Sequence, residues 1–579
     1  MLFTCAGKDC SYKEGRGKFM KKKNGFTLIE LLAVVVILSV IALISVPLIM
    51  GIINDAKKGA FKNTAYGILE ASKYTYTNEM MQTNDTKSMT FTYVNGVEVT
   101  NPIGKTLNYK GTRPTAGSII VNGEGQMAVA IHDGQFCAEK SFSDTEATVS
   151  TKTEAECLAT LGADTSGASA PEISGDMIPI KWDGFKWIKA ATNSTPGAVQ
   201  WYNYSAQQWA NVALVNASTR ATYKTAAVGT VVNEADVMAY LVWVPRYKYK
   251  LFNVASLAIS AQKIDVTFEN KTTTKSNGST NGAYLTHPAF TFGTKELNGY
   301  WVGKFETTGN ATTPTIKPNV QSLTNQAIKD QFITSQIFNT TTTYGLAVAN
   351  DAHMAKNTEW GAVAYLSQSD YGKYGNPIYT NVTGLEKEVY MNNVNSGVGA
   401  TNGPSITGCA ANSVSEGAIV RTTCPSNNQY HTIQGVKASA TGNVYGVYDM
   451  AGGSFDHVMG GMYNIDGSTI MPSSSGFVTE INEQNYVKYI DKYAYGTTCG
   501  VFCSGDITAY SRKILGDATG ETRAWNSDYD RMVATVSANS WFRRGGSYLS
   551  SSSAGAFSTI AFTGAATMNA SFRTIILGE

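Results

Sequence analysis

A single carboxylate, Glu30, stands inside an apolar stretch near the start of this 579-residue chain. The cations Lys21 to Lys23 precede it, and the 23 residues from 31 to 53 carry no formal charge. An acid in an apolar helix costs roughly 2.5–3.5 kcal/mol on insertion scales, so such an acid usually has a partner. No neighbouring residue supplies a counter-charge. Cleavage of the Gly25–Phe26 bond would create one, the free amine of Phe26, within reach of Glu30 in a neighbouring copy.

The uncharged stretch predicts a membrane-spanning helix, because about 20 apolar residues cross the hydrocarbon core. A secretory signal peptide has an apolar region of only about 7–15 residues before its cleavage site, so this stretch is too long for one. A plain signal anchor, with Lys21 to Lys23 on the cytoplasmic side, is the alternative. Glu30 argues against that alternative.

These residues resemble the prepilin signature of type IV pilins and pseudopilins, with Gly25 before the cleaved bond, Phe26 as the new N-terminus and Glu30 as the assembly carboxylate. Pro47 lies where that family tolerates a proline, which is expected to kink a helix. The resemblance implies cleavage by a prepilin peptidase, N-methylation of Phe26 and packing of the apolar helix against other pilin subunits. It places the protein in the membrane, at the cell surface or in an extracellular filament. The leader is long for this family, so Met20 is a candidate true start.

The rest of the chain predicts an α+β protein. An amphipathic helix from Asp55 to about Met81 is followed by short alternating segments, which turn dipeptides such as Asn95-Gly96 separate. Ser118–Val121 and Met127–Ile131 are predicted to pair in a small antiparallel sheet. The predicted organisation is a leader at 1–25, a pilin-like helix and sheet at 26–160, a linker at 161–176, an elaboration at 177–297 and a large head at 298–579.

The head carries a second resemblance in five stretches: Gly299–Glu306, Asn357–Gly361, Asn443–Gly453, Arg544–Ser547 and Ser571–Arg573. In this order they look like the formylglycine-generating-enzyme type of C-type lectin fold. That fold implies that the first strand of the head, with Trp301 and Val302, pairs with the last, with Ile575 and Ile576. Tyr445, Tyr448, Met450 and Trp360 are predicted to be core residues.

The resemblance does not extend to catalysis. Formylglycine-generating enzymes bind copper through a cysteine pair in their C-terminal part, and the last cysteine of this chain is Cys503. The five histidines show no zinc-binding spacing. We therefore expect a protein that is not an enzyme and has no cofactor or metal; calcium, which relatives hold, has no convincing acidic cluster here. A residual oxidase is the weakest alternative.

Cleavage would leave six cysteines, which fall into local pairs along the chain. An oxidising exterior favours disulfides, although spacing does not determine connectivity. Local pairing is the first choice, and reduced, buried cysteines are the alternative. The pairs are Cys137 with Cys157, Cys409 with Cys424, and Cys499 with Cys503.

A segment rich in aromatic and serine residues lies between two of the head motifs. Aromatic rings and small hydroxyl groups make adaptable contact surfaces, as in natural paratopes, and a solvated loop is the alternative. Lectin-fold proteins diversified by retroelements also place their variable positions in such a segment. The predicted ligand-binding residues are Trp541, Phe542, Tyr548, Ser550, Ser551, Ser552, Ser553, Phe557 and Ser558.

The functional prediction is a pilin-like cell-surface adhesin whose head binds an extracellular glycan or protein. The alternative is a minor pilin or pseudopilin of a secretion or DNA-uptake machine, whose head has no ligand of its own. A net charge of +2, with 16% charged residues and no basic stripe, argues against a nucleic acid partner.

Overall fold

The computed structural model describes residues 27–83, 89–99, 105–121, 125–141, 144–158, 166–192, 201–254, 260–278, 280–376, 379, 388–397, 403–464, 471–477, 484–495, 514–523, 525–531 and 539–578. The predictions on Gly25, Phe26, Cys499 and Cys503 lie outside these residues. The chain divides into two compact units, residues 1–60 and 61–579.

The described part of the first unit is the beginning of helix α1 (Leu28–Thr83). Its apolar side chains are exposed; Leu43, for example, is 77% exposed. Helix α1 continues through Pro47. Among the described residues it is the one helix long and apolar enough to cross a membrane, with a mean hydropathy of 3.0 in its most apolar window.

The second unit begins with the last turns of α1 and a six-stranded antiparallel sheet, in the order β2-β1-β3-β4-β5-β6. Phe61, Ala65 and Ile68 recur at helical spacing and are buried against the sheet. The predicted pairing of residues 118–121 with 127–131 is confirmed. The elements are β1 (Met89–Val94), β2 (Val97–Val99), β3 (Ala116–Val121), β4 (Met127–His132), β5 (Cys137–Lys140), β6 (Thr148–Ser150) and helix α2 (Glu154–Leu158).

Disulfides join two of the predicted cysteine pairs. Cys137 at the start of β5 is bonded to Cys157 in α2. Cys409 is bonded to Cys424 in the head. Local pairing is therefore confirmed for both pairs that fall among the described residues.

The first half of the head is made mainly of strands. Its elements are β7 (Ile178–Trp182), β8 (Trp187–Lys189), β9 (Asn211–Val215), α3 (Ala217–Thr225), β10 (Val237–Pro245), β11 (Tyr247–Lys250), β12 (Val266–Phe268), β13 (Tyr284–Thr286), β14 (Thr291–Phe292), β15 (Lys295–Glu296), β16 (Gly299–Gly303), β17 (Thr308–Gly309) and β18 (Pro314–Thr315).

The second half adds three helices and further strands. They are α4 (Ile328–Thr340), β19 (His353–Met354), α5 (Asn357–Ser367), β20 (Val394–Asn395), β21 (Ile419–Val420), β22 (Phe455–Asn464), α6 (Gln484–Val487), β23 (Asp491–Tyr495), β24 (Asp530–Arg531), β25 (Trp541–Gly545), β26 (Gly555–Phe562), β27 (Ala570–Phe572) and β28 (Thr574–Leu577).

Two large sheets organise the head. The seven-stranded sheet has the order β19-β28-β16-β10-β9-β7-β8. In it Trp301 of β16 faces Ile576 of β28, as predicted for the first and last strands of the head. The other large sheet has the order β23-β22-β25-β26-β24, with β27 paired to β22. The shorter sheets are β12-β11-β13, β14-β15, β17-β18 and β20-β21.

The segment before residue 298 is part of the head. Strands β7 to β10, predicted as an elaboration, lie in the same sheet as β16 and β28. Within the predicted linker, Ser174 is fully buried. The carbonyl of Glu172 accepts a hydrogen bond from Trp301 Nε1 at 2.7 Å. A buried tryptophan N–H needs an acceptor, and this carbonyl provides it. Residues 166–176 therefore pack against the head.

Candidate functional site

The predicted head motifs meet around the guanidinium of Arg573, which is 2% exposed. Its Nη1 donates to the carbonyl of Gly303 at 2.7 Å. Its Nη2 donates to the carbonyl of Tyr448 at 2.9 Å and to Asp456 Oδ2 at 3.2 Å. One side chain near the C-terminus thus joins three of the predicted stretches through charge-assisted hydrogen bonds.

A second arginine, Arg544, contacts the motif Asn357–Gly361. Its Nη1 donates to Asn357 Oδ1 at 3.2 Å, at the start of α5. Trp360, on the same helix, donates from Nε1 to the carbonyl of Ala556 at 2.9 Å. Trp360, Tyr445, Tyr448 and Met450 are all buried, as predicted. The motif residues form the framework of the head.

Buried acids surround Arg573. Glu306 Oε2 accepts from Ser405 Oγ at 2.6 Å, and its Oε1 accepts from the backbone N–H of Ser454 at 2.7 Å. Burial and the charge of Asp456 hold the pKa of Glu306 well above its usual range. Burial also raises the pKa of Asp456 to about 7, against the opposing charge of Arg573. Acids that are buried and hydrogen-bonded in this way fit a framework role.

Of the predicted ligand-binding residues, four reach the surface, Ser550 to Ser553, which we call the serine turn. Gly545 and Gly546 lead into it with φ values of 82° and 72°, as the prediction of a tight turn requires. Ser551 Oγ donates to the carbonyl of Ser415 at 2.8 Å. The backbone N–H of Tyr529 donates to the carbonyl of Ser553 at 3.0 Å.

The other predicted ligand-binding residues are in the interior. Trp541, Phe542 and Tyr548 are fully buried. Phe557 and Ser558 are 1% and 3% exposed. Side chains with so little exposed surface contribute to the core of the head rather than to a contact surface, and this differs from the prediction. Trp541, for instance, packs its ring against Phe477.

The surface around the serine turn includes residues that the sequence pattern did not single out. Leu549 is 46% exposed and Tyr529 is 43% exposed. Tyr529 comes from a different part of the chain and is placed beside the turn by its backbone hydrogen bonds to Ser553 and Thr559. Its position depends on long-range contacts, so local patterning carries no signal for it.

Two acids lie beneath the serine turn, Glu388 and Asp528. A methyl group on Gly555 would come 2.1 Å from Glu388 Oε1 and 2.0 Å from Asp528 Oδ1, so a side chain at this position would displace both carboxyl groups. Burial raises the pKa of Asp528 to about 6. Burial and the charge of Asp528 raise the pKa of Glu388 further.

The N-terminal site has its own local geometry. Thr27 caps helix α1, and its backbone N–H and Oγ1 donate to Glu30 Oε2 at 2.9 and 2.7 Å. The backbone N–H of Glu30 donates to Thr27 Oγ1 at 3.3 Å. This reciprocal pattern is a capping box. Glu30 thus has a hydrogen-bond partner in Thr27, which the sequence prediction of an unpartnered acid missed. Among the described residues, no opposite charge lies within ion-pair distance of its carboxylate.

The described residues contain no group of three or more histidine, cysteine, aspartate or glutamate side chains that could hold a metal ion. The prediction of a protein without a cofactor stays a prediction.

Comparison with protein families places the N-terminal site in context. Residues 20–46 match the model of the prokaryotic N-terminal methylation motif. Comparison with curated proteins gave no match. The motif covers the predicted cleavage site and the first part of α1, and it implies processing by a prepilin peptidase, membrane association and assembly with pilin subunits. The chain has a type IV pilin-like N-terminus.

Proposed function

We propose that this protein is a pilin-like cell-surface adhesin, anchored or assembled through α1, with a non-catalytic head of the C-type lectin type that binds an extracellular glycan or protein. The ligand surface is the serine turn together with Leu549 and Tyr529. The observation that carries the proposal is the serine turn itself, where Ser552 is exposed while Ser551 Oγ donates to the carbonyl of Ser415 and the carbonyl of Ser553 accepts from the backbone N–H of Tyr529. A turn that internal hydrogen bonds hold in place, with one exposed serine, suits recognition, since little flexibility is lost on binding.

The lectin-type head is supported by the pairing of β16 with β28 and by the convergence of the predicted motifs on Arg573 and Arg544. Both arginines are buried and hydrogen-bonded to distant segments, so the ends of the head are joined independently of the surface turn. Such a scaffold would tolerate changes in the serine turn, as a retroelement-diversified binding protein requires. Sequencing the DNA beside the gene, to look for the template repeat of a retroelement, tests that part of the proposal.

The binding function is tested by probing a glycan and cell-surface protein array with the purified full-length mature chain. We compare the wild type with Ser552→Lys, which places a charged side chain on the turn, and with Thr222→Lys on α3. Thr222 is also exposed and lies on another face of the fold. The proposal predicts at least one ligand that the wild type and Thr222→Lys bind and that Ser552→Lys binds at least tenfold more weakly.

A minor pilin or pseudopilin without a ligand is the second candidate. It is favoured by the burial of Trp541, Phe542, Tyr548 and Phe557, which removes the large aromatic side chains from the predicted contact surface. Binding hot spots are rich in such side chains. If the wild type binds nothing on the array and a deletion strain loses secretion or uptake, this candidate would be favoured over the adhesin.

A further inference from the structure

The buried arginines of the head differ in their counter-charges. Arg246 binds Glu269 at 3.0 Å and Glu296 at 2.8 Å. Arg573 binds Asp456 at 3.2 Å. Arg543 is only 6% exposed, yet among the described residues no carboxylate lies within ion-pair distance of it. Arg543 is therefore a buried cation without a counter-charge among the residues that the structure describes.

Rings and neutral groups surround the Arg543 guanidinium. Its Cζ lies 3.1 Å from the ring centroid of Phe562 and 5.1 Å from that of Phe455. Its Nε donates to His457 Nε2 at 3.1 Å, and its Nη2 donates to Thr567 Oγ1 at 3.2 Å. Aromatic faces attract a cation but do not neutralise it.

His457 does not compensate the charge either. Burial and the positive charge of Arg543 lower the pKa of His457 well below its usual range, so the ring is neutral. The neutral ring accepts from Arg543 through Nε2, and the other nitrogen, Nδ1, lies 2.8 Å from Gln331 Oε1. Burial lowers the pKa of Arg543 itself to about 9.

The unused donors of Arg543 form a fork. A guanidinium has five N–H donors, and the described residues supply acceptors for two of them, at His457 and Thr567. The remaining N–H groups are on the two terminal nitrogens, Nη1 and Nη2. That pair is the geometry that binds two oxygens of one oxyanion in parallel.

We propose that Arg543 is an anion-binding site, which takes an oxyanion group (carboxylate, sulfate or phosphate) through the fork of Nη1 and Nη2, beside Phe455, Phe562 and Thr567. The anion supplies the counter-charge that Asp456 supplies to Arg573. The group is either a free inorganic ion or an acidic substituent on a sugar. The site is separate from the serine turn, so it stands whether or not the turn binds a ligand.

The test is isothermal titration calorimetry on the full-length mature chain in an uncharged detergent, at neutral pH and constant ionic strength. The probes are sodium phosphate, sodium sulfate and sodium glucuronate, with glucose as the neutral control. The variants are Arg543→Met, Arg543→Lys and Arg421→Met, which removes an exposed arginine elsewhere in the head. Removing one member of a buried ion pair is costly because the other charge is left unpaired; Arg543→Met leaves no such partner among the described residues, so it is expected to fold.

The wild type and Arg421→Met should bind at least one of the oxyanions saturably and should not bind glucose. Arg543→Met should lose at least tenfold in affinity, and Arg543→Lys, which keeps the charge without the fork, should lie between them. Binding of phosphate or sulfate alone identifies a free inorganic ion, and binding of glucuronate alone identifies a sugar-borne carboxylate. The absence of saturable binding by the wild type, or equal binding by Arg543→Met, would overturn the proposal. If Arg543→Met does not fold, equal binding by wild type and Arg543→Lys would overturn it as well.

Discussion

The N-terminal segment and the head use charged side chains in opposite ways. Glu30 is hydrogen-bonded to Thr27, three residues away, and lies in an exposed apolar helix where the described residues place no opposite charge within ion-pair distance. Arg573 is buried and donates to Gly303, 270 residues away. The pilin-like assignment predicts that another chain neutralises the first charge, whereas the second pairs with Asp456 in its own fold. The partners of the charged group at the predicted assembly site are therefore close in sequence, whereas the partners of the charged groups in the head come from distant segments.

The strongest test of this comparison is Glu30→Ala. Without the carboxylate, the apolar helix has no partner for the free amine of a neighbouring subunit, so filament assembly should be lost while cleavage after Gly25 continues. Electron microscopy of surface filaments and immunoblotting for the cleaved chain measure the two effects. The matched control is Glu70→Ala, an exposed acid on the same helix, which should assemble normally. Normal filaments from Glu30→Ala would contradict the pilin-like role.

Arg573→Met tests the buried charge of the head. It leaves Asp456 buried without its ion-pair partner. Breaking a buried pair on one side costs about 3–5 kcal/mol, so the free energy of unfolding should fall by that amount in chemical denaturation. Arg421→Met, at an exposed arginine, should change the free energy of unfolding by less than about 0.5 kcal/mol. Equal stability of the two variants would show that Arg573 does not hold the motifs together.

The disulfide of the head should come next in size. Cys409 and Cys424 are 15 residues apart, and a closed loop of that length contributes about 3 kcal/mol in the chain-entropy model. The double variant Cys409→Ser and Cys424→Ser should unfold at lower denaturant concentration by a corresponding amount. Treatment of the wild type with a reductant should lower its stability by at least this amount, and the reductant should have a smaller effect on the double variant, which keeps only the Cys137–Cys157 disulfide of the two. A wild type insensitive to reductant would argue for reduced cysteines.

The smallest expected effect is a change in the free energy of unfolding with pH, caused by the titration of His353. Burial alone would lower its pKa, but the charge of Glu359 and the contacts with Asp351 outweigh it and raise the pKa to about 9. Because the folded pKa lies above the unfolded value of about 6.5, the stabilisation is complete below pH 6.5 and is lost as the pH rises through 9. The expected loss is roughly 2–3 kcal/mol.

Denaturation curves of the wild type and His353→Gln between pH 6 and 10 measure this effect. The stability difference between them should shrink as the pH rises, because only the wild type has the His353 proton to lose. Lys488 and Tyr489, which also face the site, titrate in both proteins, so their effect cancels in the difference. His431→Gln, at a partly exposed ring, should keep the wild-type pH dependence. A difference independent of pH would mean that His353 is neutral in the fold.

The same contrast explains what the sequence could predict. The apolar helix, the antiparallel pairing near residue 120 and the disulfides Cys137–Cys157 and Cys409–Cys424 depend on local spacing and are confirmed. The burial of Trp541 and Tyr548 could not be predicted from composition, because aromatic residues suit a core as well as a contact surface. Tyr529 and Arg543 owe their roles to residues far away in the chain, so their neighbours in sequence carry no signal.

The most direct test of the pilin-like assignment is intact-mass and peptide mass spectrometry of the mature protein purified from its native membrane. We predict a chain that begins at Phe26 with a methylated amine. A mature chain that retains Gly25 and the basic residues before it would contradict the assignment.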